Sequence, residues 1–282
     1  MDKGKKSEKR SRLSKSNILI FVVIGIFLAL FLSPMLWMVL TGFKHRGEFF
    51  TYPPVFIPKH FDWSNFLGGI KLGGGKAIFD ILIIASSSAL ISLVVGSLAA
   101  YSLSRFKIGG KNLAFWILSI RMLPPIAAAL PLFILYSSLH LLDTYGALII
   151  TYSLMNIPFA VWMLKGFFDE LPPSLEESAL VDGCGRLAAF YKIALPLIAP
   201  GLVATTLFNF IFSWNEFLFA LVFTRSHVTP LTVFIAGLIG GHEILWGEIA
   251  AVGTMASLPI IVLAIFLQRY LVRGLTMGAV KG

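Results

Sequence analysis

Cysteine and charge are both scarce in this chain. Cys184 is the only cysteine among 282 residues, so no disulfide can form within the chain. No cluster of cysteine and histidine has the spacing of a metal site either, so the sequence predicts no bound metal. Charged residues make up 13% of the chain and hydrophobic residues 57%, with a mean hydropathy of +0.85. A soluble domain needs far more charge on its surface, so this composition indicates a membrane protein with several spans.

A phosphate-binding loop is also missing. The Gly-Lys pairs at 75–76 and 110–111 lack the upstream glycine and the following serine or threonine that such a loop requires. We therefore expect this chain to bind no nucleotide, so that any energy from ATP must enter through another chain.

Long apolar segments, by contrast, are plentiful. A helix needs about 20 residues to cross a bilayer, and lipid offers the backbone no hydrogen-bond partner, so each spanning segment must be helical. The sequence therefore predicts an all-α, polytopic transmembrane helix bundle with six spans, between a basic N-terminus at 1–17 and a short tail at 272–282. The six predicted spans are approximately 18–41, 77–103, 113–139, 145–167, 199–224 and 249–271.

The positions of the basic residues predict the orientation. With the N-terminus inside, the inner segments hold 16 lysines and arginines and the outer segments hold six. This bias favours both termini in the cytoplasm. Seven of the basic residues lie in 1–17, directly before the first span, so the net charge of +9 is a topology signal. We expect contact with membrane lipid and no nucleic-acid partner.

The most informative polar stretch is the loop at 168–198, between the fourth and fifth predicted spans. Ser174 and Glu177 fit a capping box, in which the hydroxyl and the carboxylate satisfy the first free amides of a new helix. Gly183 is suited to end that helix in a left-handed conformation. The loop is therefore predicted to contain a short, ordered, acidic helix.

A second short helix is expected from Gly185 to Ala194. Leu195-Pro196 is expected to end it, because the proline ring and the missing donor oppose continuation. Taken alone, this pattern fits an amphipathic loop on the inner membrane surface as well as a contact for a second protein.

The order of residues in this loop resembles the EAA motif of ABC importer permeases. It reads Glu177-Ser178-Ala179, three residues, Gly183, nine residues and then Ile193-x-Leu195-Pro196, with serine in place of the middle alanine. Almost the whole chain resembles the carbohydrate-type, maltose-like permeases, specifically the partner that ends in a glycine-rich tail. Further matches lie at 42–44, 99–105, 213–217 and 268–282.

The resemblance implies a permease subunit of an ATP-binding-cassette importer in the cytoplasmic (inner) membrane of a bacterium or archaeon. The cargo would be a sugar, sugar alcohol or small oligosaccharide. The chain would be no enzyme and would bind no cofactor, because ATP and magnesium would bind two separate ATPase subunits. The other implied partners are a second, homologous permease, which makes a heterodimer, and an extracytoplasmic solute-binding protein.

The same resemblance assigns residues to the contact with the ATPase. The loop at 168–198 would dock into a cleft of the ATPase and transmit its closure to the spans. The coupling residues would be Glu176, Glu177, Ser178, Ala179, Asp182, Gly183, Arg186, Ile193, Leu195 and Pro196. The tail residues Gly278, Lys281 and Gly282 would reach between the ATPase subunits, with a frayed terminus as the alternative.

Polar residues inside the spans give a second candidate site, a substrate pathway. Arg121 precedes Pro124-Pro125, where we expect the helix to kink or break, and an arginine facing a cavity can bind sugar hydroxyls. Alternatively, Arg121 pairs with Glu216 or with a carbonyl inside the bundle. The pathway candidates are Arg121, Tyr152, Asn156, Trp214, Asn215 and Glu216. For the last three, an interfacial tryptophan beside an interhelical polar clamp is the slightly favoured explanation.

Two other functions compete with the importer. A self-sufficient secondary transporter or channel would need coupling residues near the midplane, and Arg121 is one candidate. That hypothesis leaves the motif from Glu177 to Pro196 unexplained. An intramembrane enzyme would need clustered Asp, Glu or His residues, or a metal set, within the spans, and the sequence has none.

Overall fold

The computed structural model describes residues 15–110, 112–240 and 243–277, and the regular elements in this part of the chain are all helical. In chain order the α-helices are α1 (Lys15–Gly42), α2 (Ser64–Lys71), α3 (Gly74–Arg105), α4 (Leu113–Ser119), α5 (Pro125–Ser138), α6 (Tyr145–Glu170), α7 (Ser174–Val181), α8 (Arg186–Ala189), α9 (Leu195–Leu197), α10 (Ala199–Trp214), α11 (Leu218–Phe223), α12 (Leu231–Gly237) and α13 (Trp246–Met277). Short 3-10 turns occur at Arg46–Glu48 and Ile120–Met122, and a π-helical turn at Phe190–Ala194 joins α8 to α9.

Four helices contain a stretch that is long and apolar enough to cross a membrane. These stretches are Leu19–Gly42, Gly74–Arg105, Tyr145–Glu170 and Trp246–Gln268. Two further pairs of helices pass the same test only together, because each pair is bent: Leu113–Met122 with Pro125–Ser138 by 84°, and Arg186–Leu197 with Ala199–Trp214 by 79°. The predicted all-α membrane fold is confirmed, with four to six candidate spans among the described residues.

The predicted break in the third span is confirmed. Leu123 and Pro124 have extended backbone, with ψ angles of 127° and 124°, and α5 begins at Pro125. Proline suits the first helical position because its missing donor would be unpaired there anyway. The chain therefore turns sharply between α4 and α5 instead of continuing as one straight helix.

The prediction of one continuous helix over 199–224 is wrong. Residues 215–217 separate α10 from α11. The carboxylate of Glu216 accepts hydrogen bonds from the backbone amides of Phe219 at 3.0 Å and Ala220 at 3.2 Å. These amides need partners at the start of a helix, so the glutamate initiates α11 as a separate element. At the other end of the chain, α13 extends past both limits of the predicted span.

The bundle is built around the packing of α3 along α6. At the closest approach, a Cβ atom added to Gly96 would lie 2.6 Å from the Cβ of Ala160. Helix α10 packs against both α3 and α6. The hydroxyls of Ser88 on α3 and Ser213 on α10 are 2.9 Å apart. The larger apolar core lies around the first half of α3, and a smaller cluster lies at its C-terminal end.

Helix α1 lies against α13 at the edge of the bundle. Residues 19–34 of α1 are exposed on all sides and almost entirely apolar. A helix that is apolar all round without being buried in protein is suited to lipid. This surface matches the expected contact with membrane lipid.

Candidate functional site

Helix α7 begins differently from the prediction. The amide of Glu177 bonds to the carbonyl of Pro173 at 3.0 Å, and Pro173 itself has helical angles of −57° and −30°. A serine cap requires extended backbone at the cap, and Ser174 already lies within the first helical turn. The capping box of Ser174 and Glu177 is therefore not formed, because the fixed φ of the preceding proline starts the helix one residue earlier.

The end of α7 is as predicted. Gly183 adopts a φ of +85°, its amide bonds to the carbonyl of Leu180 at 3.1 Å, and the amide of Cys184 bonds to the carbonyl of Ala179 at 2.9 Å. This pair of bonds is the Schellman motif, in which a left-handed residue satisfies the last free carbonyls. The helix thus ends sharply, and the chain reverses toward α8.

The second short helix continues further than predicted. It does not end at Leu195-Pro196, since the helical path runs through α9 to Leu197 and bends at Ile198. The reason is the π-helical turn before it, in which the amide of Leu195 bonds to the carbonyl of Phe190, five residues back. This turn places the proline in the first turn of α9, where its missing donor is tolerated.

Glu176 attaches α7 to the bundle. It is only 7% exposed, and its carboxylate accepts hydrogen bonds from Nε of Arg105 at 2.7 Å and from Oη of Tyr101 at 2.5 Å. Arg105 also donates to the carbonyl of Leu171 at 3.2 Å, just before α7. The hydrogen bonds from a cation and a hydroxyl offset the cost of burying this carboxylate. They therefore hold the start of α7 in a defined position.

The opposite face of α7 is open to solvent. Glu177, Ser178 and Asp182 are exposed, and so are Leu180 and Val181, the latter at 87%. A mixed acidic and apolar face on a short, fixed helix is suited to binding a groove of another protein. Of the residues assigned to the ATPase contact, Glu176 and Ala179 instead point into the chain itself.

The rest of the coupling loop is anchored by an apolar cluster. Phe190 is 2% exposed and packs against Tyr101 and Phe168, with ring centroids 4.8 and 6.2 Å away. Leu195 packs against the same cluster, and Ile193 is half-buried, whereas Gly183 and Pro196 are exposed. The guanidinium of Arg186 lies 5.0 Å from the ring of Phe106. The loop at 168–198 therefore has a buried inner side and an exposed outer side.

A polar cavity of about 220 Å³ lies between α6 and α10. Five of the six residues predicted for a substrate pathway line it: Arg121, Tyr152, Asn156, Asn215 and Glu216. A second, mostly apolar cavity of about 180 Å³ lies at the break between α4 and α5 and shares Arg121. The structure thus brings residues from three separate predicted spans to one place.

The predicted pairing of Arg121 with Glu216 is not formed. The guanidinium carbon of Arg121 lies 4.1 Å from the ring centroid of Phe212 and 5.3 Å from that of Phe159, while Glu216 initiates α11. Among the described residues, Nη1 of Arg121 has no hydrogen-bond partner although it is buried. Arg121 is therefore positioned by stacking, and it lines the cavity without an acidic partner among the described residues.

Trp214 is absent from the cavity lining. Its ring is 3% exposed and stacks on Phe210 in the core, 5.2 Å away. Asn156 does line the cavity, but its amide also donates to Oγ of Ser213 at 2.8 Å and to the carbonyl of Asn209 at 3.2 Å. Trp214 is thus a packing residue, and Asn156 is both a clamp between helices and part of the wall.

Sequence reasoning missed two carboxylates at the opposite end of the bundle from α7. Asp143 accepts hydrogen bonds from four consecutive backbone amides, those of residues 225–228, at 2.9 to 3.2 Å. Partial burial alone would raise the pKa of Asp143, but the four donors outweigh it and lower the pKa to about 2. Asp80 accepts from Lys76, Tyr145 and the amide of Thr229. The position of Asp80 inside a predicted apolar span was the signal in the sequence that could have indicated this site.

Gly278, Lys281 and Gly282 lie outside the described residues. Within the described part of the chain, no group of three or more His, Cys, Asp or Glu side chains is placed to hold a metal ion.

The sequence of this chain is similar to those of several transport permeases. The probable ABC transporter permease protein y4oR of Sinorhizobium fredii is 40% identical over 256 residues, which cover 89% of this chain and 91% of that one. The trehalose/maltose transport system permease protein MalG of Thermococcus litoralis is 35% identical, and the match covers 93% of this chain and 97% of that one. The diacetylchitobiose uptake system permease protein DasC of Streptomyces coelicolor is 32% identical, and the match covers 88% of this chain and 91% of that one.

A solved structure shows the same fold. It is a bacterial ABC transporter involved in the import of the acidic polysaccharide alginate, and one of its chains matches with a TM-score of 0.73 and 24% identity, covering 92% of this chain and 98% of that one. A sequence profile described as "Binding-protein-dependent transport system inner membrane component" matches residues 92–277, which include α6, α7 and the polar cavity. The chain therefore belongs to this family of inner-membrane permease components of ABC importers, and it is a transport subunit and not an enzyme.

Proposed function

We propose that this chain carries a sugar, sugar alcohol or small oligosaccharide across the inner membrane of a bacterium or archaeon, driven by separate ATPase subunits. The observation that carries the proposal is α7, a short helix with a buried anchor, an exposed face and the residue order of the EAA motif. The carbohydrate class is supported by relatives named for trehalose and maltose or for diacetylchitobiose.

The exposed face of α7 is the proposed contact with an ATPase subunit. It presents Glu177, Leu180, Val181 and Asp182 on one short rod that ends sharply at Gly183. A rod held at its start and ended at a fixed turn moves as one body when a partner pushes on it, which transmits closure of an ATPase dimer. ATP and magnesium belong to two such ATPase subunits in this proposal.

The proposed topology has six spans and both termini in the cytoplasm. It counts each of the two bent helix pairs as one span, together with the four long helices. The excess of basic residues on the segments that include 1–17 and 168–198 supports this orientation. It places α7 on the cytoplasmic side, where an ATPase resides, and places Asp80 and Asp143 on the outer side, where a solute-binding protein delivers its cargo.

The polar cavity is the proposed part of the substrate pathway that this chain supplies. Arg121 brings a guanidinium group to the cavity wall, and Tyr152, Asn156, Asn215 and Glu216 add polar groups, as sugar hydroxyls require. The cavity is open along one side, so a second, homologous permease completes it in a heterodimer. The tail residues Gly278, Lys281 and Gly282 remain a proposed contact with the ATPase subunits.

Co-purification tests the proposal. Affinity-tagged chain is expressed at its native level, extracted in mild detergent and analysed for bound subunits and for ATP hydrolysis. We expect a second permease and a hydrolysing ATPase in the eluate, and hydrolysis that increases when solute-binding protein loaded with sugar is added. An eluate without any ATPase, combined with uptake that persists after ATP depletion, would instead support a secondary transporter or channel.

A further inference from the structure

The segment at 99–105 and the start of α7 form one buried network. Within 99–105, Tyr101 and Arg105 both donate to Glu176, at 2.5 and 2.7 Å. The side chains of Arg105 and Glu176 are only 12% and 9% exposed. The end of α3 and the coupling helix are thus joined by a charge pair that is shielded from water.

Glu176 is the only side chain of α7 that hydrogen-bonds to another helix in the described structure, while packing joins α7 to α8 and the π-helical turn. Among the side chains of Ser174–Val181, only Glu176 hydrogen-bonds to residues outside the helix, since Ser178 bonds to the carbonyl of Ser174. Neighbouring Glu177 is exposed and faces away. The two adjacent glutamates point about 100° apart around the helix axis, so that Glu176 contacts α3 and Glu177 stays open to a partner.

A buried ion pair resists separation. If α7 moved away from α3 by a few ångströms, it would leave an uncompensated charge on each side, which is strongly unfavourable. The turn at Gly183 and the packing of α7 against α8 hold the other end of the helix. Glu176 adds to these contacts a buried charge pair that links α7 directly to α3.

Helix α3 leads from this tether toward the polar cavity. Ser88 on α3 shares a hydrogen bond with Ser213 on α10, and Ser213 accepts from Asn156, which lines the cavity. A movement of α3 along its axis therefore acts directly on the cavity wall. The alternative route, through α8 and α9 into α10, contains the 79° bend at Ile198.

We propose that Glu176 is a positioning residue that makes α7 and α3 move as one body, so that the push of an ATPase subunit on α7 reaches the cavity through α3. This inference rests on the proposed function. Its consequence is specific: loss of the tether uncouples ATP hydrolysis from uptake without preventing the ATPase from binding, because the ATPase contacts the other face of α7.

The test compares E176Q, the double exchange R105E/E176R and the control D169N in the assembled complex in proteoliposomes. Glutamine keeps the shape of the side chain but loses the ion pair. Asp169 lies at the same end of the bundle, in an exposed pair with Lys165 and a hydrogen bond from Ser104. The quantity measured is solute taken up per ATP hydrolysed.

We expect E176Q to capture the ATPase as the parent does, and to transport at least about fivefold less solute per ATP, the lower end of typical coupling factors. D169N should match the parent, and the double exchange should restore part of the ratio. An unchanged ratio in E176Q, or a loss of captured ATPase in that variant, would overturn the inference. A parent that captures no ATPase would overturn the proposed function instead.

A distance measurement tests the same inference without relying on transport. Spin labels at L98C and L175C, in a C184S background, report the separation of α3 and α7 in the complex, and neither position belongs to the proposed ATPase contact. We expect this distance to change by less than about 2 Å, the size of a helix shift, when ATP is added, and to broaden in E176Q. A larger ATP-dependent change in the parent would show that α7 moves independently of α3.

Discussion

Arg121 stacks on Phe212, with the guanidinium carbon 4.1 Å from the centre of the ring. The stacking fixes an arginine at the break between α4 and α5, where it lines the cavity without an acidic partner among the described residues. A cation held by a ring, and not neutralised by a carboxylate, keeps its capacity to bind polar cargo.

Replacing Arg121 should lower transport and leave assembly intact. Loss of a hydrogen bond to a charged group costs about 1.5–3 kcal/mol, so R121A should reduce uptake by roughly one to two orders of magnitude. R121K should be only partly active, because an ammonium group cannot stack as a planar guanidinium does. Uptake by proteoliposomes is the measurement, with R225K on the exposed outer loop as control. Parental uptake by R121A would exclude Arg121 from the pathway.

Glu216 gives a second prediction for the same cavity. Its carboxylate holds the amides of Phe219 and Ala220, so E216A removes both the cavity group and the start of α11. E216Q keeps one acceptor oxygen and should retain more uptake than E216A. Equal uptake by E216A and the parent, measured beside the amount of assembled complex, would contradict a role in the pathway.

Gly183 should tolerate no side chain for a purely conformational reason. A Cβ added there meets no atom within 4 Å, but its φ of +85° costs an alanine about 1–2 kcal/mol. Gly185 has equal space and an ordinary φ of −72°, so G185A is a matched control. We expect G183A, but not G185A, to retain less ATPase in the pull-down. Equal retention by both variants would show that the sharp end of α7 is unimportant for docking.

The close contact of α3 and α6 gives a stability prediction. G96V introduces atoms where even a Cβ would lie 2.6 Å from Ala160, and overpacking of this kind costs about 1–3 kcal/mol. Gly166, on the same helix as Ala160, has open space around it, so G166A should keep or slightly raise the melting temperature, because alanine favours a helix more than glycine does. Thermal unfolding in detergent measures both variants. A melting temperature of G96V equal to that of G166A would contradict the tight packing.

Asp143 should make the loop at 224–230 sensitive to acid. Its pKa of about 2 lies below the value of an unfolded chain, so its stabilising effect is complete above about pH 4 and is lost as the pH falls toward 2. D143N removes that effect at all pH values. The difference in melting temperature between parent and D143N should therefore be constant from pH 7 to about 4.5 and shrink below it. A difference that grows on acidification would be contrary to this assignment.

The sequence predicted features that depend on local chemistry. The break at Pro124-Pro125 and the left-handed end of α7 at Gly183 follow from the backbone limits of proline and glycine, which hold in any surroundings. The apolar segments likewise predicted the helices, because a helix supplies the backbone hydrogen bonds that lipid cannot provide.

Features that depend on distant partners were not predictable in this way. The tether of Glu176 needs Arg105, which lies 71 residues earlier, and nothing near Glu176 distinguishes it from Glu177. Asp143 needs amides that follow more than 80 residues later. Trp214 was assigned to a pathway for its chemistry, but it lies on the side of α10 that faces the larger apolar core, together with Phe210.

The most direct test of the central claim, that α7 and its neighbouring turn dock an ATPase subunit, uses the natural cysteine. Cys184 is the sole cysteine of the chain, half-buried in the turn after Gly183, and its rate of reaction with a maleimide can be measured without any substitution. The account predicts slower labelling in the complete complex than in membranes stripped of ATPase, and recovery of the slow rate when ATPase is added back. Equal rates with and without bound ATPase would contradict docking at this site.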